Sequence, residues 1–135
     1  MGPPACLIVG VDTSVESVAA LDWALRLASG LHCRVVAVHG VGLLEDGGYR
    51  PRPDLAGLIA QARDRIEVAA GVPVECVMED GPPADVIERV AEREAADVIV
   101  VGSRGLGQAP RLLGSTSEAV LALARLPVLV VPAQG

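Results

Sequence analysis

Apolar positions along this chain fall into two kinds of stretch. Five short runs, Cys6–Val11, Arg34–His39, Val74–Met78, Asp97–Val101 and Val128–Val131, are apolar through rather than alternating. That is how strands read when both faces of a parallel sheet are buried. Between them the spacing changes to three and four. Val18, Leu21, Leu25 and Ala28 fall on one face of a helix over Ser14 to Ser29, opened by the Thr13/Glu16 capping-box pattern and stopped by Gly30. A second helix is predicted from the N-cap Asp54 to Ala70, closed by Gly71, and a third from near Pro83 to near Ala95. A fourth opens after Gly114 at Ser115 and closes near Arg125, ahead of Pro127. The stretch from Gly42 to Pro53, with Gly47, Gly48, Pro51 and Pro53, reads as a loop.

The resulting order, β-α-β-α-β-α-β-α-β, predicts one α/β domain: a doubly wound, five-stranded parallel sheet with helices on both faces. Strand order 3-2-1-4-5 reverses between strands one and four, and ligands of such sheets bind outside the strand ends at that point. Strand one runs into Gly10-Val11-Asp12-Thr13-Ser14, and strand four into Gly102-Ser103-Arg104-Gly105-Leu106-Gly107. The two segments best suited to close backbone approach therefore fall where topology puts a ligand.

Composition narrows the chemistry. The 135 residues are 51% apolar and 1% aromatic, with net charge −6. Phe, Lys and Asn are absent, and all 11 cations are arginines. An acidic chain without stacking platforms is a poor nucleic-acid binder. A lysine-free chain also has neither a Schiff base nor a Walker lysine. No apolar stretch approaches membrane-spanning length, and the expected location is cytoplasmic. Cys6, Cys33 and Cys76 have no metal spacing and read as buried or half-buried free thiols. Structural roles are expected for His32 and His39, and no metal site is expected.

From Gly102 to Ser117 the chain reads GSRGLGQAPRLLGSTS. Glycines at 102, 105 and 107 let main-chain N–H groups face an anion. Gly114, Ser115, Thr116 and Ser117 then open a helix whose N-terminus favours phosphate, with Arg104 and Arg111 as candidate charge partners. A polyphosphate cradle is one reading, and an ordinary glycine-rich βα loop before a capped helix is the other. GxGxxG after the first strand, the P-loop and the GxSxG elbow are all missing.

At this loop the chain resembles the universal stress protein family, in its ATP-binding branch. The resemblance extends over Gly10 to Ser14, Val38-His39, Glu79-Asp80-Gly81, Asp97 to Gly102 and the terminal Pro127 to Pro132. It implies a Rossmann-like, adenine-nucleotide alpha-hydrolase-like fold that holds ATP, with Mg²⁺, between strands one and four. Carried over residue by residue, Gly10, Val11 and Asp12 border the adenosine, and the Gly40 backbone meets the adenine edge. Gly102, Ser103, Arg104, Gly105, Leu106 and Gly107 wrap the ribose and phosphates. Gly114, Ser115, Thr116 and Ser117, with Arg111, hold the phosphates. Two departures stand out. Eight residues, Leu106 to Leu113, separate Gly105 from Gly114 where the family pattern has nine. Gly40 stands where valine is frequent, which removes roughly 1–2 kcal/mol of apolar packing against the base.

Asp12 has a second reading, as a cap for the first helix. Trp23 is expected to pack against the sheet or a partner, and Glu88, Arg89, Glu92, Arg93 and Glu94 to form a solvated mixed-charge face. Val128–Val131 is an edge strand that invites pairing with another chain, and the resemblance likewise points to a homodimer through it. The function expected is a stress-response or regulatory ATP-binding protein with at most slow hydrolysis. The alternatives are a dimeric interaction module that binds no nucleotide and a weak ATPase.

Overall fold

The computed structural model describes residues 4–42, 52–103 and 114–132. Five strands, β1 (Cys6–Gly10), β2 (Arg34–Val41), β3 (Val74–Asp80), β4 (Val98–Gly102) and β5 (Val128–Val131), pair in parallel in the order β3-β2-β1-β4-β5. The register sets Ile8 beside Val36 and Ile99, and Gly10 beside Val38. Helices α1 (Val15–Leu31), α2 (Leu55–Arg65), α3 (Pro83–Arg93) and α4 (Ser115–Leu123) make the crossovers.

Because successive strand residues face opposite ways, the central strands feed two cores. Leu7, Val9, Val35, Ala37 and Val100 pack with Leu21, Ala24 and Leu25 of α1 and Ile59 of α2. Ile8, Val36, Val38, Ile99 and Val101 pack with Val86, Ile87 and Val90 of α3 and Val120 of α4. Small aliphatic side chains let helices lie close to the sheet, so a core without Phe closes. Asp97 ties β4 to β1, since its Oδ2 accepts from the Ala5 and Cys6 N–H groups at 2.7 and 3.0 Å.

The sequence-based boundaries shift in several places. The N-cap of α1 is Ser14, not Thr13: Ser14 Oγ accepts from the Ser17 N–H at 3.1 Å. Helix α1 runs past Gly30 and stops at His32, which takes the left-handed conformation at φ 55°. Asp54 caps α2 as expected, accepting from the Gly57 N–H. That helix ends at Arg65, and a 3-10 turn, Glu67–Ala69, follows. Arg63 stabilises the exit by donating to the carbonyls of Ala69, Ala70 and Val72.

The edge strand β3 is mostly half-buried or exposed, and Cys76 on it is exposed, whereas Cys6 and Cys33 are buried. The charged face of α3 is more than solvated. Arg89 and Arg93 both reach Glu79 on β3, at 3.1 and 2.8 Å, and Glu94 receives Arg34 from β2 at 2.9 Å. Trp23 is exposed rather than packed on the sheet, with the Arg26 guanidinium 5.0 Å from its ring centroid.

Candidate functional site

Reversal of strand order sets the C-terminal ends of β1 and β4 side by side, with the first turn of α1 over β4 and α4 returning beside it. The β1–α1 turn is bound on every side. Asp12 Oδ1 accepts from the Ser14 N–H at 2.7 Å, an Asx turn that starts α1. Ser17 Oγ accepts from the Asp12 N–H and donates to the Asp12 carbonyl, both at 2.9 Å. Asp12 therefore holds the turn that leads into α1, while the cap of the helix itself is Ser14. Its side chain is half-buried, and Oδ2 makes no hydrogen bond to any described residue. One carboxylate oxygen holds the turn, and the other keeps the capacity to accept a hydrogen bond.

Beneath the turn lies β2. The Val11 N–H donates to the Val38 carbonyl at 2.8 Å, and His39 Nδ1 donates to the Val11 carbonyl at 2.8 Å. His39 is thus structural, as expected, and Gly40 follows it at the strand end.

On the other side, the Ser103 N–H continues the sheet by donating to the Val131 carbonyl at 2.8 Å. The Gly114 N–H donates to the Ser103 carbonyl at 2.6 Å. The chain therefore leaves the sheet at Ser103 and returns to the same point at Gly114, eleven residues later. Arg104, Gly105, Leu106, Gly107 and Arg111, all expected at the site, lie outside the described residues.

Gly114 is the N-cap of α4 and brings no side-chain cap. The first intrahelical donor is Glu118, whose N–H bonds the Gly114 carbonyl at 3.0 Å. The N–H groups of Ser115, Thr116 and Ser117 precede it and belong to the unpaired set of a helix start. The three other helix starts differ. Side chains cap α1 and α2, and α3 begins Pro82-Pro83, where two N–H groups are missing. Ser117 turns away from this end: its buried hydroxyl donates to the Gly102 carbonyl in a short bond. Thr116 is half-buried beside it.

The glycines have packing reasons that motif reading missed. A Cβ on Gly102 would lie 2.6 Å from the Glu16 carbonyl carbon, and one on Gly40 would lie 2.6 Å from Pro83 Cα. At Gly10 the nearest atom would be Ile87 Cδ1 at 2.8 Å. The bare positions at Gly102 and Gly40 let the first turns of α1 and α3 approach the strand ends, whereas at Gly10 the nearest atom is a side-chain tip. The only sequence signal was their place at strand ends before a helix. Among the described residues no group of three or more His, Cys, Asp or Glu side chains could hold a metal ion, and no helix is long and apolar enough to cross a membrane.

Comparison with known proteins agrees with this arrangement. Residues 7–132 match the model of the universal stress protein family. A universal stress protein of Thermus aquaticus is 41% identical over 125 residues, 82% of this chain and 90% of that protein. Universal stress protein MJ0531 of Methanocaldococcus jannaschii is 32% identical over 136 residues, 93% of this chain and 80% of that one. Among solved structures, a universal stress protein in complex with cAMP superposes with TM-score 0.74 at 28% identity, covering 98% of this chain and all of that one.

Proposed function

The chain belongs to the universal stress protein family, and from that premise we propose that it binds an adenine nucleotide, Mg-ATP foremost, between β1 and β4. Binding would serve stress-response regulation. The observation that carries this reading is the start of α4, which has no side-chain cap and lies opposite the half-free Asp12 carboxylate across the strand reversal. Unpaired N–H groups and the positive end of the helix dipole favour a phosphate there. The Asp12 Oδ2 suits a ribose hydroxyl. The cAMP complex of a relative at 28% identity supports the adenine-nucleotide class.

In this reading Gly10, Val11 and Asp12 border the adenosine, and the Gly40 backbone meets the base. Gly102 and Ser103 carry the loop base, and Gly114, Ser115 and Thr116 face the phosphates. Arg104, Gly105, Leu106, Gly107 and Arg111 complete the loop. Ser117 acts through Gly102, because its hydroxyl is already committed. Mg²⁺ would arrive with the phosphates and keep its waters, since it needs no protein cage. The chain's own contribution is to bind and orient; hydrolysis, if any, would be slow.

Thermal unfolding with AMP, cAMP, Mg-ATP and GTP tests the reading. A ligand at 100 times its Kd adds about 2.7 kcal/mol, so adenine nucleotides should raise the midpoint and GTP should not. Asp12→Asn keeps the oxygen that holds Ser14 and removes the open one. It should weaken binding roughly tenfold or more at unchanged stability. No midpoint shift with any nucleotide would return the protein to the class of nucleotide-free interaction modules.

The outer edge of β5 supports a homodimer through Val128–Val131. Its inner edge pairs with β4, and Leu129 is exposed. Sedimentation should return twice the chain mass, and a monomer at every concentration would remove the idea.

A further inference from the structure

Val11 has both backbone polar groups tied to β2, its N–H to the Val38 carbonyl and its carbonyl to His39 Nδ1, each at 2.8 Å. The next residue, Asp12, is tied instead to α1 through Ser14 and Ser17. The single peptide step between them carries the Asp12 carboxylate, and His39 is the only side chain holding it from the sheet side among the described residues. His39 is 8% exposed, and its Nε2 is buried with no hydrogen-bond partner. A carbonyl only accepts, so the ring proton sits on Nδ1 and Nε2 keeps an unused lone pair. A buried acceptor left unpaired costs stability. Val35, Ala37 and Val41, on the same face of β2, are apolar and buried and carry no such cost. Packing alone therefore gives no reason for a histidine at this position.

We propose that His39 is a positioning residue of the nucleotide site: through the Val11 carbonyl it sets where Asp12 presents its open oxygen. His39 touches no ligand, and the proposal rests on the nucleotide reading above. Its test uses His39→Leu, which removes the donor, and His39→Asn, whose amide offers an N–H close to the Nδ1 position. His39→Met replaces the first variant should it not fold.

Two readouts separate positioning from packing. In ligand-free protein, His39→Leu should speed hydrogen exchange at the Asp12 and Ser14 amides, and His39→Asn should not. In calorimetric titration with AMP, His39→Leu should bind roughly tenfold or more weakly, because small displacements of an oriented group are expensive, and His39→Asn should recover most of the affinity. Equal affinity and exchange in His39→Leu and wild type would overturn the proposal. So would an Asn variant as impaired as the Leu variant, which would mark the ring as filler. Wild type that binds no AMP refutes the nucleotide reading and this role with it. Wild type that binds while His39→Leu binds as well refutes this role alone.

Discussion

Gly102→Ala is the sharpest test of how the site is assembled. The added methyl would meet the Glu16 carbonyl carbon at 2.6 Å, its oxygen at 2.7 Å and its Cβ at 2.8 Å. Ordinary contact begins at 3.4 Å, so α1 must retreat by about 0.8 Å. Two of those atoms are backbone, and that backbone is pinned by the Asp12, Ser14 and Ser17 bonds. Overpacking of this kind costs about 1–3 kcal/mol, and the pinned backbone puts Gly102→Ala near the top of that range. At a few degrees per kcal/mol, the unfolding midpoint should fall by roughly 6–12 °C. Far-UV circular dichroism without nucleotide reads the change. Gly10→Ala is the control, because its clash at 2.8 Å is with the Ile87 side-chain tip. That tip can swing aside, so the cost should stay under about 1 kcal/mol. A Gly102→Ala midpoint within about 2 °C of wild type, below any effect expected from overpacking, would refute the packing account. Conversely, nucleotide loss in any Gly102 variant is weak evidence for ligand contact, since the helix is disturbed first.

Ser14→Ala removes the cap of α1 and should lower stability by about 1 kcal/mol, read as a lower urea midpoint at unchanged slope. Thiol labelling of native protein should report Cys76 alone, with Cys6 and Cys33 appearing on denaturation. Burial, with Asp54 adding to it, pushes the Cys76 thiol up, so its labelling should accelerate only at alkaline pH. Arg93, with help from Arg89, holds the Glu79 carboxyl below its usual range. The ion pairs therefore stabilise the fold above the ordinary carboxylate pKa and are lost as pH falls through the lowered one. Carboxyl NMR should show Glu79 titrating low in wild type and moving upward in Arg93→Gln.

Fold order and strand reversal were legible because β1, β2 and β4 are buried on both faces and carry apolar, largely β-branched runs. The edge strand β3 follows a weaker rule. It has a neighbour on one side only, so Cys76 is exposed although its local pattern resembles that of the inner strands. Helix ends failed where local signals compete. Gly30 was available as a stop, yet His32 took the left-handed position because the Cys33 N–H reaches the Ala28 carbonyl from there. Spacing put Asp12 just after β1, Gly102 at the end of β4 and Ser115 at the start of α4, and the elements fall there. It did not disclose that Gly40 and Gly102 are bare to admit helices, that Ser117 serves Gly102, or that His39 holds Val11. Those are contacts between residues distant in sequence, and periodicity carries no trace of them.

The central claim is that an adenine nucleotide lies across the strand reversal, and amide chemical-shift mapping during titration with AMP tests it most directly. The account predicts that the shifts concentrate at Asp12, Gly40, Ser103 and Gly114 to Thr116, with the β3 edge unmoved. Shifts absent at saturating AMP, or gathered along β5 instead, would contradict it.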